Sequence, residues 1–226
     1  QPFIPGLEYG IGQLSTSLRF SGNPKNFDLL GNLTLVDGNF RILGVEEEFK
    51  SAQIQLSASQ KKIHIDRFDA KLGGGDVAVY GDVAINQFQS LIPHLNLKAQ
   101  KVWLSFKNVV AGRFSGDFTI RGHTMPYLFA GRCTVLEGKI SSFKIDETRQ
   151  FNQITPLLAF DITCDAPGKV FVKTDVMDAE FKGNFHLLGN TNKIGLLGGA
   201  DSVSGFMLFR DTQFALNQGN VRFESR

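Results

Sequence analysis

The sequence predicts an all-β fold, and three observations lead to this prediction. Apolar residues recur at every second position along most of the chain, turn-forming residues separate these segments at short intervals, and one frame of glycines occurs three times. A period of two places apolar side chains on one face of a strand and polar side chains on the other. Short strands in regular succession are typical of an all-β protein, and internal repeats are typical of an array.

The alternating segments can be followed from one end of the chain to the other. Apolar pairs two residues apart occur at Ile54/Leu56, Ile63/Ile65, Val77/Val79, Val83/Ile85, Leu95/Leu97, Val102/Leu104, Phe160/Ile162, Val170/Val172, Phe214/Leu216 and Val221/Phe223. Turns are predicted where Gly, Asn and Asp cluster, at 37–38, 73–76, 137–138 and 218–220. Residues 86–94 and 147–160 lack clean alternation and each contains a proline, so a short helix or a loop is predicted in both.

The repeat consists of three glycines at fixed spacing with apolar residues locked to them. The three copies are Gly22, Gly31 and Gly38, then Gly122, Gly131 and Gly138, then Gly189, Gly198 and Gly205. Each copy predicts a strand, a kinked connection between the first two glycines, a second strand and a third strand after the last glycine. The repeats lie near 18–42, 118–143 and 185–223, and we expect one continuous domain, 1–226, cut from a longer array.

Composition and charge exclude several classes of function. Lys and Arg exceed Asp and Glu by only two, and the charges are interleaved, so no basic stripe for nucleic acid exists. Phe alternates with charged residues, which puts rings and charges on opposite faces, whereas a platform for single-stranded nucleic acid needs both on one face. The 21 Phe residues instead indicate a large apolar area, in a core or on a face that meets an apolar ligand.

No catalytic or metal-binding constellation is visible, so we expect neither an enzyme nor a cofactor. The four histidines are scattered without zinc-site spacing, and His64 and His186 fall on the polar side of their strands. The glycines at 73–75 precede a strand, where a phosphate loop would precede a helix. The acidic run 46–48 is predicted to be an exposed turn.

The two cysteines do not form a disulfide framework. Cys133 occupies the repeat position of Leu33, so it is expected to behave as a small apolar residue. The sequence leaves open whether Cys133 and Cys164 pair.

The periodicity alone does not decide how the apolar face is covered. A second sheet, a closed barrel or a curled open trough would each satisfy it. The face is then either a dry core or the lining of a groove that holds acyl chains.

A family resemblance favours the trough. Residues 185–189, 198–199, 205–209, 214–216 and 219–223 resemble the closing pattern of the C-terminal domain of the TamB family (translocation and assembly module), relatives of AsmA-like and bridge-like lipid-transfer proteins. Residues 116–140 resemble the preceding unit, and residues 18–40 resemble a unit further back. The segments 190–197 and 147–160 depart from the pattern, as do Ala200 and Ser202, which are less apolar than the equivalent residues of the other repeats.

The resemblance implies a β-taco, a long sheet curled into a trough that is polar outside and apolar inside. It also implies a periplasmic location, with an inner-membrane anchor outside this chain, and an outer-membrane barrel partner of the TamA type. The implied role is phospholipid transport between the two membranes together with support of outer-membrane protein assembly. An alternative is a structural module that templates outer-membrane strands by β-augmentation.

We predict that acyl chains contact one set of apolar residues from the repeats and the closing strands. This predicted lipid groove comprises Leu33, Leu35, Phe118, Ile120, Val135, Phe185, Leu187, Phe214, Leu216, Val221 and Phe223.

Overall fold

The computed structural model describes residues 7–23, 26–42, 45–86, 91–106, 110–141 and 156–224. They form the strands β1 (Leu7–Asn23), β2 (Asn26–Ile42), β3 (Phe49–Ser59), β4 (Lys62–Leu72), β5 (Gly75–Ile85), β6 (Leu91–Phe106), β7 (Val110–Arg121), β8 (Tyr127–Ile140), β9 (Leu158–Thr174), β10 (Met177–Asn190), β11 (Ile194–Phe209), β12 (Thr212–Ala215) and β13 (Asn220–Phe223). No helix occurs in these ranges, and the predicted all-β class is confirmed.

All these strands belong to one sheet, in which they follow each other in chain order from β1 to β12, with β13 paired to β11 beside β12. Neighbouring strands are antiparallel except β8 and β9, which are parallel. The described strands form no second sheet, and their order does not return to β1, so neither a sandwich nor a closed barrel is present. The sheet is long, curled and open, as in a β-taco.

The strands are longer than predicted because two expected turns lie inside them. Asp37 and Gly38 belong to β2, and Glu137 and Gly138 belong to β8, so the turn predictions there are wrong. The pairing register shifts next to both glycines, and Asp37 has φ 52°. Such bulges bend a strand without ending it. Of the turn predicted at 73–76, residues 73–74 form the turn between β4 and β5, whereas Gly75 and Asp76 already belong to β5.

The two segments without clean alternation are partly strand. Residues 91–94 open β6, so the prediction of a helix or loop is wrong there, and residues 87–90 lie outside the described residues. Pro93 is only the third residue of β6 and pairs with Val83, which places the proline close to the beginning of the strand. Residues 158–160 open β9, and 142–155 lie outside the described residues.

Each glycine repeat is a hairpin, formed by β1–β2, β7–β8 and β10–β11. The residue four positions before the first glycine pairs with the second glycine in all three: Leu18 with Gly31, Phe118 with Gly131, and Phe185 with Gly198. The predicted second and third strands of each repeat are one strand, because the third glycine lies within β2, β8 and β11. The repeat therefore encodes a hairpin of one defined register.

The buried side chains are apolar; among the described residues none of the buried ones is polar or charged. One cluster includes Phe40, Phe49 and Val102, and a second includes Ala166 and Phe181. The rings of Phe40 and Phe49 stack with their centroids 4.9 Å apart. A single layer can bury these residues only because it is curled.

Candidate functional site

The candidate site is the apolar face of the curled sheet, here called the inner face. Residues that are partners across neighbouring strands share a face, so the register traces it. One row of partners runs across β2 to β10 through Leu33, Leu56, Ile65, Gly81, Leu95, Ile120, Phe129, Phe160 and Gly189. We call it the long row. It is made of apolar side chains and glycine from one end to the other.

Two further rows run beside the long row. The first passes through Val79, Leu97, Phe118, Gly131, Ile162, Leu187 and Leu196. The second, here called the small-residue row, passes through Ala70, Val77, Ala99, Gly116, Cys133, Cys164, Phe185, Gly198 and Phe223. The three rows together form a continuous apolar surface across the sheet.

The predicted groove residues within the strands all fall on the inner face. Leu33 and Ile120 share the long row, Phe118 and Leu187 share the row beside it, and Phe185 and Phe223 share the small-residue row. The other predicted residues are assigned to the inner face by their register partners. Leu35 pairs with Ile54, Val135 with Phe114, Val221 with Ala200, and Phe214 with Met207. Leu216 follows β12 and packs against the cluster around Ala166.

These residues differ in exposure. Phe118 is 6% exposed, whereas Phe214 is 48% exposed and Val221 is 41% exposed. The other members of the set are half-buried. Their contact with lipid remains a prediction.

Sequence reasoning missed several residues of the inner face, because it selected only positions tied to the repeats and the closing strands. Phe129 and Phe160 are register partners in the long row, and their rings meet edge to face at 6.4 Å. Leu97 and Ile162 contact the buried cluster or belong to it. The alternation of β6 and β9 carried this signal, since each of these residues lies two positions from another apolar residue on the same face.

The members of the long row are half-buried from β2 to β9, Gly189 at the β10 end is exposed, and none of them is fully enclosed. The small-residue row is deeper at its β4–β6 end, where Ala70, Val77 and Ala99 are buried. Beyond it Val102 is 1% exposed. The inner face therefore has one closed side, where small side chains let the backbone come close, and one accessible side lined by Leu, Ile and Phe.

A polar tether holds the closed side. Glu47, in the connection between β2 and β3, accepts hydrogen bonds from the Ser105 amide and from its Oγ, both at 2.7 Å. Ser105 lies on β6, so the tether reaches across β3, β4 and β5. The prediction that residues 46–48 form an exposed run is wrong for Glu47 and Glu48, which are half-buried.

The position of the Phe118 ring depends on two neighbouring glycines, Gly116 and Gly131. Its ring stacks on Phe129 with the centroids 5.1 Å apart. A Cβ atom added at Gly131 would lie 2.9 Å from Phe118 Cδ1, and one added at Gly116 would lie 2.8 Å from Phe118 Cζ. Both distances are too short for a real side chain, so glycine at these positions is what lets the ring lie across the sheet.

The outer face carries the charges. His64 is exposed, as predicted, and its Nδ1 lies 2.7 Å from Asp82 Oδ1; Lys62 Nζ lies 2.9 Å from Asp82 Oδ2. Hydrogen bonds from Lys62 and His64 lower the pKa of Asp82. His186 Nε2 lies 2.6 Å from Asp161 Oδ1, and His186 is half-buried. These pairs join neighbouring strands on the side that faces water.

The described ranges contain no group of His, Cys, Asp and Glu placed to hold a metal ion. None of the described segments is a helix with the length and hydropathy needed to span a bilayer.

Comparison with known proteins identifies the family. A family model described as the TamB C-terminal domain matches residues 66–226, from within β4 to the end of the chain. No curated protein and no solved structure matches the chain. The match covers two of the three hairpin repeats and confirms the resemblance on which the sequence prediction was based. The chain therefore belongs to the TamB family of cell-envelope proteins, which act in outer-membrane protein assembly or lipid transport.

Proposed function

We propose that this chain is a segment of a periplasmic lipid bridge whose inner face carries phospholipid acyl chains between the inner and outer membranes. The long row is the observation that supports the proposal. It is apolar without interruption from β2 to β10 and half-buried from β2 to β9, and no buried side chain of the described residues is charged. We propose that the role is not catalytic and that the full-length protein is anchored in the inner membrane.

The dimensions of the long row suit an acyl chain. Strands lie about 4.8 Å apart, so the row from β2 to β10 is roughly 38 Å long. One leaflet of the hydrocarbon core of a bilayer is about 15 Å thick. A lipid tail is therefore shorter than the row and has several equivalent places to lie along it.

The energetics suit movement as well as binding. Each methylene removed from water contributes about 0.8 kcal/mol. Because the row repeats similar side chains from strand to strand, a tail that advances by one strand exchanges one apolar contact for another of the same kind. The apolar face thus supplies affinity without a single deep trap, while the polar headgroup stays in water beyond the accessible side.

The first test is lipid extraction. The chain is expressed in the periplasm, purified without detergent and extracted with organic solvent, and the extract is analysed by mass spectrometry. We expect phospholipid in a stoichiometric amount. A folded β protein free of lipid would mean that the inner face is a sealed core and would contradict the proposal.

The second test uses a matched pair of variants on β7. Ile120→Asp places a carboxylate in the long row, whereas Thr119→Asp places one at the adjacent position on the other face. Both variants are compared with the native chain for bound phospholipid and for far-ultraviolet circular dichroism. We expect Ile120→Asp to lose more than about tenfold in bound lipid, since a carboxylate among acyl chains is desolvated. We expect Thr119→Asp to retain it. Leu187→Asp repeats the test on β10. Normal lipid content in a folded Ile120→Asp protein would overturn the assignment of the long row.

In this proposal the partner in the outer membrane is a barrel of the TamA type.

The edge strand β1 favours a second candidate function, the templating of outer-membrane strands. β1 is a 17-residue edge strand that pairs with β2 alone among the described strands. Its apolar side chains are exposed, with Leu14 at 61% and Phe20 at 68%. A long unpaired edge can accept a further strand, so β1 could template outer-membrane strands by β-augmentation.

Site-specific photo-crosslinking separates the two functions. A crosslinker at Ser15 on the edge strand and one at Ile120 in the long row are irradiated in cells. Lipid adducts at Ile120 with no protein adduct at Ser15 favour lipid transport. Outer-membrane protein adducts at Ser15 without lipid at Ile120 favour strand templating.

A further inference from the structure

The structure brings the two cysteines of the chain together. Cys133 on β8 and Cys164 on β9 are direct register partners in the parallel pair, although they are 31 residues apart in sequence. Both side chains are half-buried on the inner face, within the small-residue row, and the two Sγ atoms are 2.7 Å apart. Partners in neighbouring strands have Cα atoms about 5 Å apart, within the range of about 4.4–6.8 Å that a disulfide requires.

The β8–β9 junction differs from every other junction along the described sheet. The remaining neighbouring strands are antiparallel, and most of them are joined by short turns. β8 and β9 are parallel, and the chain leaves at residue 140 and returns at residue 158. A parallel pair needs such a crossover and is slightly less stable per residue than an antiparallel pair. No hairpin turn sets the register here.

We propose that Cys133 and Cys164 form an intramolecular disulfide that fixes the register of β8 against β9. The family places the chain in the cell envelope, and the envelope compartment outside the cytoplasm favours disulfides. This inference is independent of the proposed lipid transport. It concerns the assembly of the sheet and would hold equally for a scaffold.

The register matters because the inner rows cross this junction. The long row passes from Phe129 to Phe160, and the row beside it passes from Gly131 to Ile162. A slip of one residue would turn apolar side chains of β9 to the outer face, and a slip of two would keep the faces but connect each row on β8 to a different row on β9. A covalent bond between Cys133 and Cys164 excludes both slips.

The chemistry is a balanced thiol–disulfide exchange with an oxidised dithiol oxidant of the envelope. The Cys164 thiolate attacks the oxidant's disulfide, forming a mixed disulfide and releasing one oxidant thiolate. The Cys133 thiolate then attacks Cys164 Sγ, which releases the second oxidant thiolate and leaves the Cys133–Cys164 bond. The two cysteines lose two protons and two electrons, and the oxidant ends as a dithiol.

The order of attack follows from the contact between the thiols. The hydrogen bond from Cys133 lowers the pKa of the Cys164 thiol, and the same hydrogen bond, together with burial, raises the pKa of the Cys133 thiol. The lower pKa favours Cys164 as the first nucleophile of the exchange.

Thiol counting in the full chain, isolated from the periplasm, tests the proposal. The protein is denatured and treated with a polyethylene-glycol maleimide, before and after reduction. We expect no label before reduction and two labels after it. Cys133→Ser and Cys164→Ser are the matched controls, each with one label under both conditions. Two labels before reduction, or a disulfide-linked dimer of the native chain, would overturn the proposal.

Thermal unfolding tests the stabilising role. Reduction of the native chain is expected to lower Tm by roughly 5–15 °C, because the bond closes a long loop. The double variant Cys133→Ala/Cys164→Ala removes both thiols, and its Tm is expected not to respond to reductant. An oxidised native chain whose Tm is unchanged by reduction would show that the bond does not stabilise the junction.

Discussion

Leu18 and Phe118 occupy the same position of the same repeat, yet their environments differ. Each precedes the first glycine of its hairpin by four residues, and each pairs with the second glycine. Leu18 lies on the edge strand β1 and is 44% exposed, whereas Phe118 lies on β7 and is 6% exposed. The local hairpin is the same, so the difference comes from the neighbours.

Neighbouring strands on both sides supply the burial of Phe118. Its ring contacts Phe114 on its own strand and Phe129 on β8, and Leu97 is its partner on β6. Leu18 has β2 on one side and no described strand on the other. The comparison teaches that a repeat unit specifies a register, while the position of the unit in the array decides whether its apolar face is a core or a surface.

Truncating the two equivalent residues should give the largest contrast. Phe118→Ala is expected to lower the free energy of unfolding by about 3–5 kcal/mol, because it removes the contacts of the buried Phe118 ring and leaves a cavity. Leu18→Ala is expected to cost less than about 1 kcal/mol, since its side chain is already 44% exposed. Urea denaturation measures both. Equal losses would show that the edge strand is covered in solution.

Two glycines of β8, the strand that pairs with β7, test how tightly the surroundings of Phe118 are packed. Gly131→Ala is expected to cost about 1–3 kcal/mol, because the new Cβ would lie 2.3 Å from the Asp117 carbonyl oxygen and 2.9 Å from Phe118 Cδ1. Gly138→Ala on the same strand is the control: its nearest neighbours are Val170 methyl groups at 3.4 Å, and a loss below about 1 kcal/mol is expected. Chemical denaturation of both variants compares them. A larger loss at Gly138 would contradict this account.

Removing a hydrogen bond between distant residues should also cost more stability in the interior of the sheet than at its edge. Glu47→Ala removes two hydrogen bonds to Ser105 on the closed side, and a loss of about 2 kcal/mol is expected. Tyr9→Phe removes the exposed hydrogen bond of 2.7 Å from β1 to Glu48, and a smaller loss than for Glu47→Ala is expected. Thermal unfolding of the two variants is the measurement. If Tyr9→Phe is the more damaging, β1 is held more firmly than its exposure indicates.

The smallest effect is expected from charge on the outer face. Hydrogen bonds from Lys62 and His64 lower the pKa of Asp82 in the folded chain, so ionised Asp82 stabilises the fold above its unfolded pKa. That contribution is lost as pH falls through the lower, folded pKa. Asp82→Asn should therefore reduce the loss of stability on acidification, and only slightly, because exposed charges are screened. Urea midpoints of both proteins at neutral and acidic pH, in low and high salt, measure it. An unchanged acid response would remove Asp82 from the explanation.

Sequence patterns identified the face on which the predicted groove residues lie, but not every residue of that face and not the length of its strands. Alternation placed Leu33, Ile120 and Leu187 on one face, and pairing in the sheet keeps partners on that face. The bulges at Gly38 and Gly138 looked like turns, because a glycine beside an acidic residue is compatible with both. Only the pairing of the flanking residues shows that the strand bends at such a glycine and does not end there.

The sequence by itself determined that the protein is all-β, which face of each strand is apolar, and which positions repeat, since period-two alternation and glycine spacing are local properties. It also carried the family resemblance. The tertiary structure decided that the sheet is one open curled layer, that Cys133 meets Cys164 across a parallel junction, and that Glu47 reaches Ser105. These contacts join residues distant in sequence, and they depend on the order and curvature of strands, which no local pattern encodes.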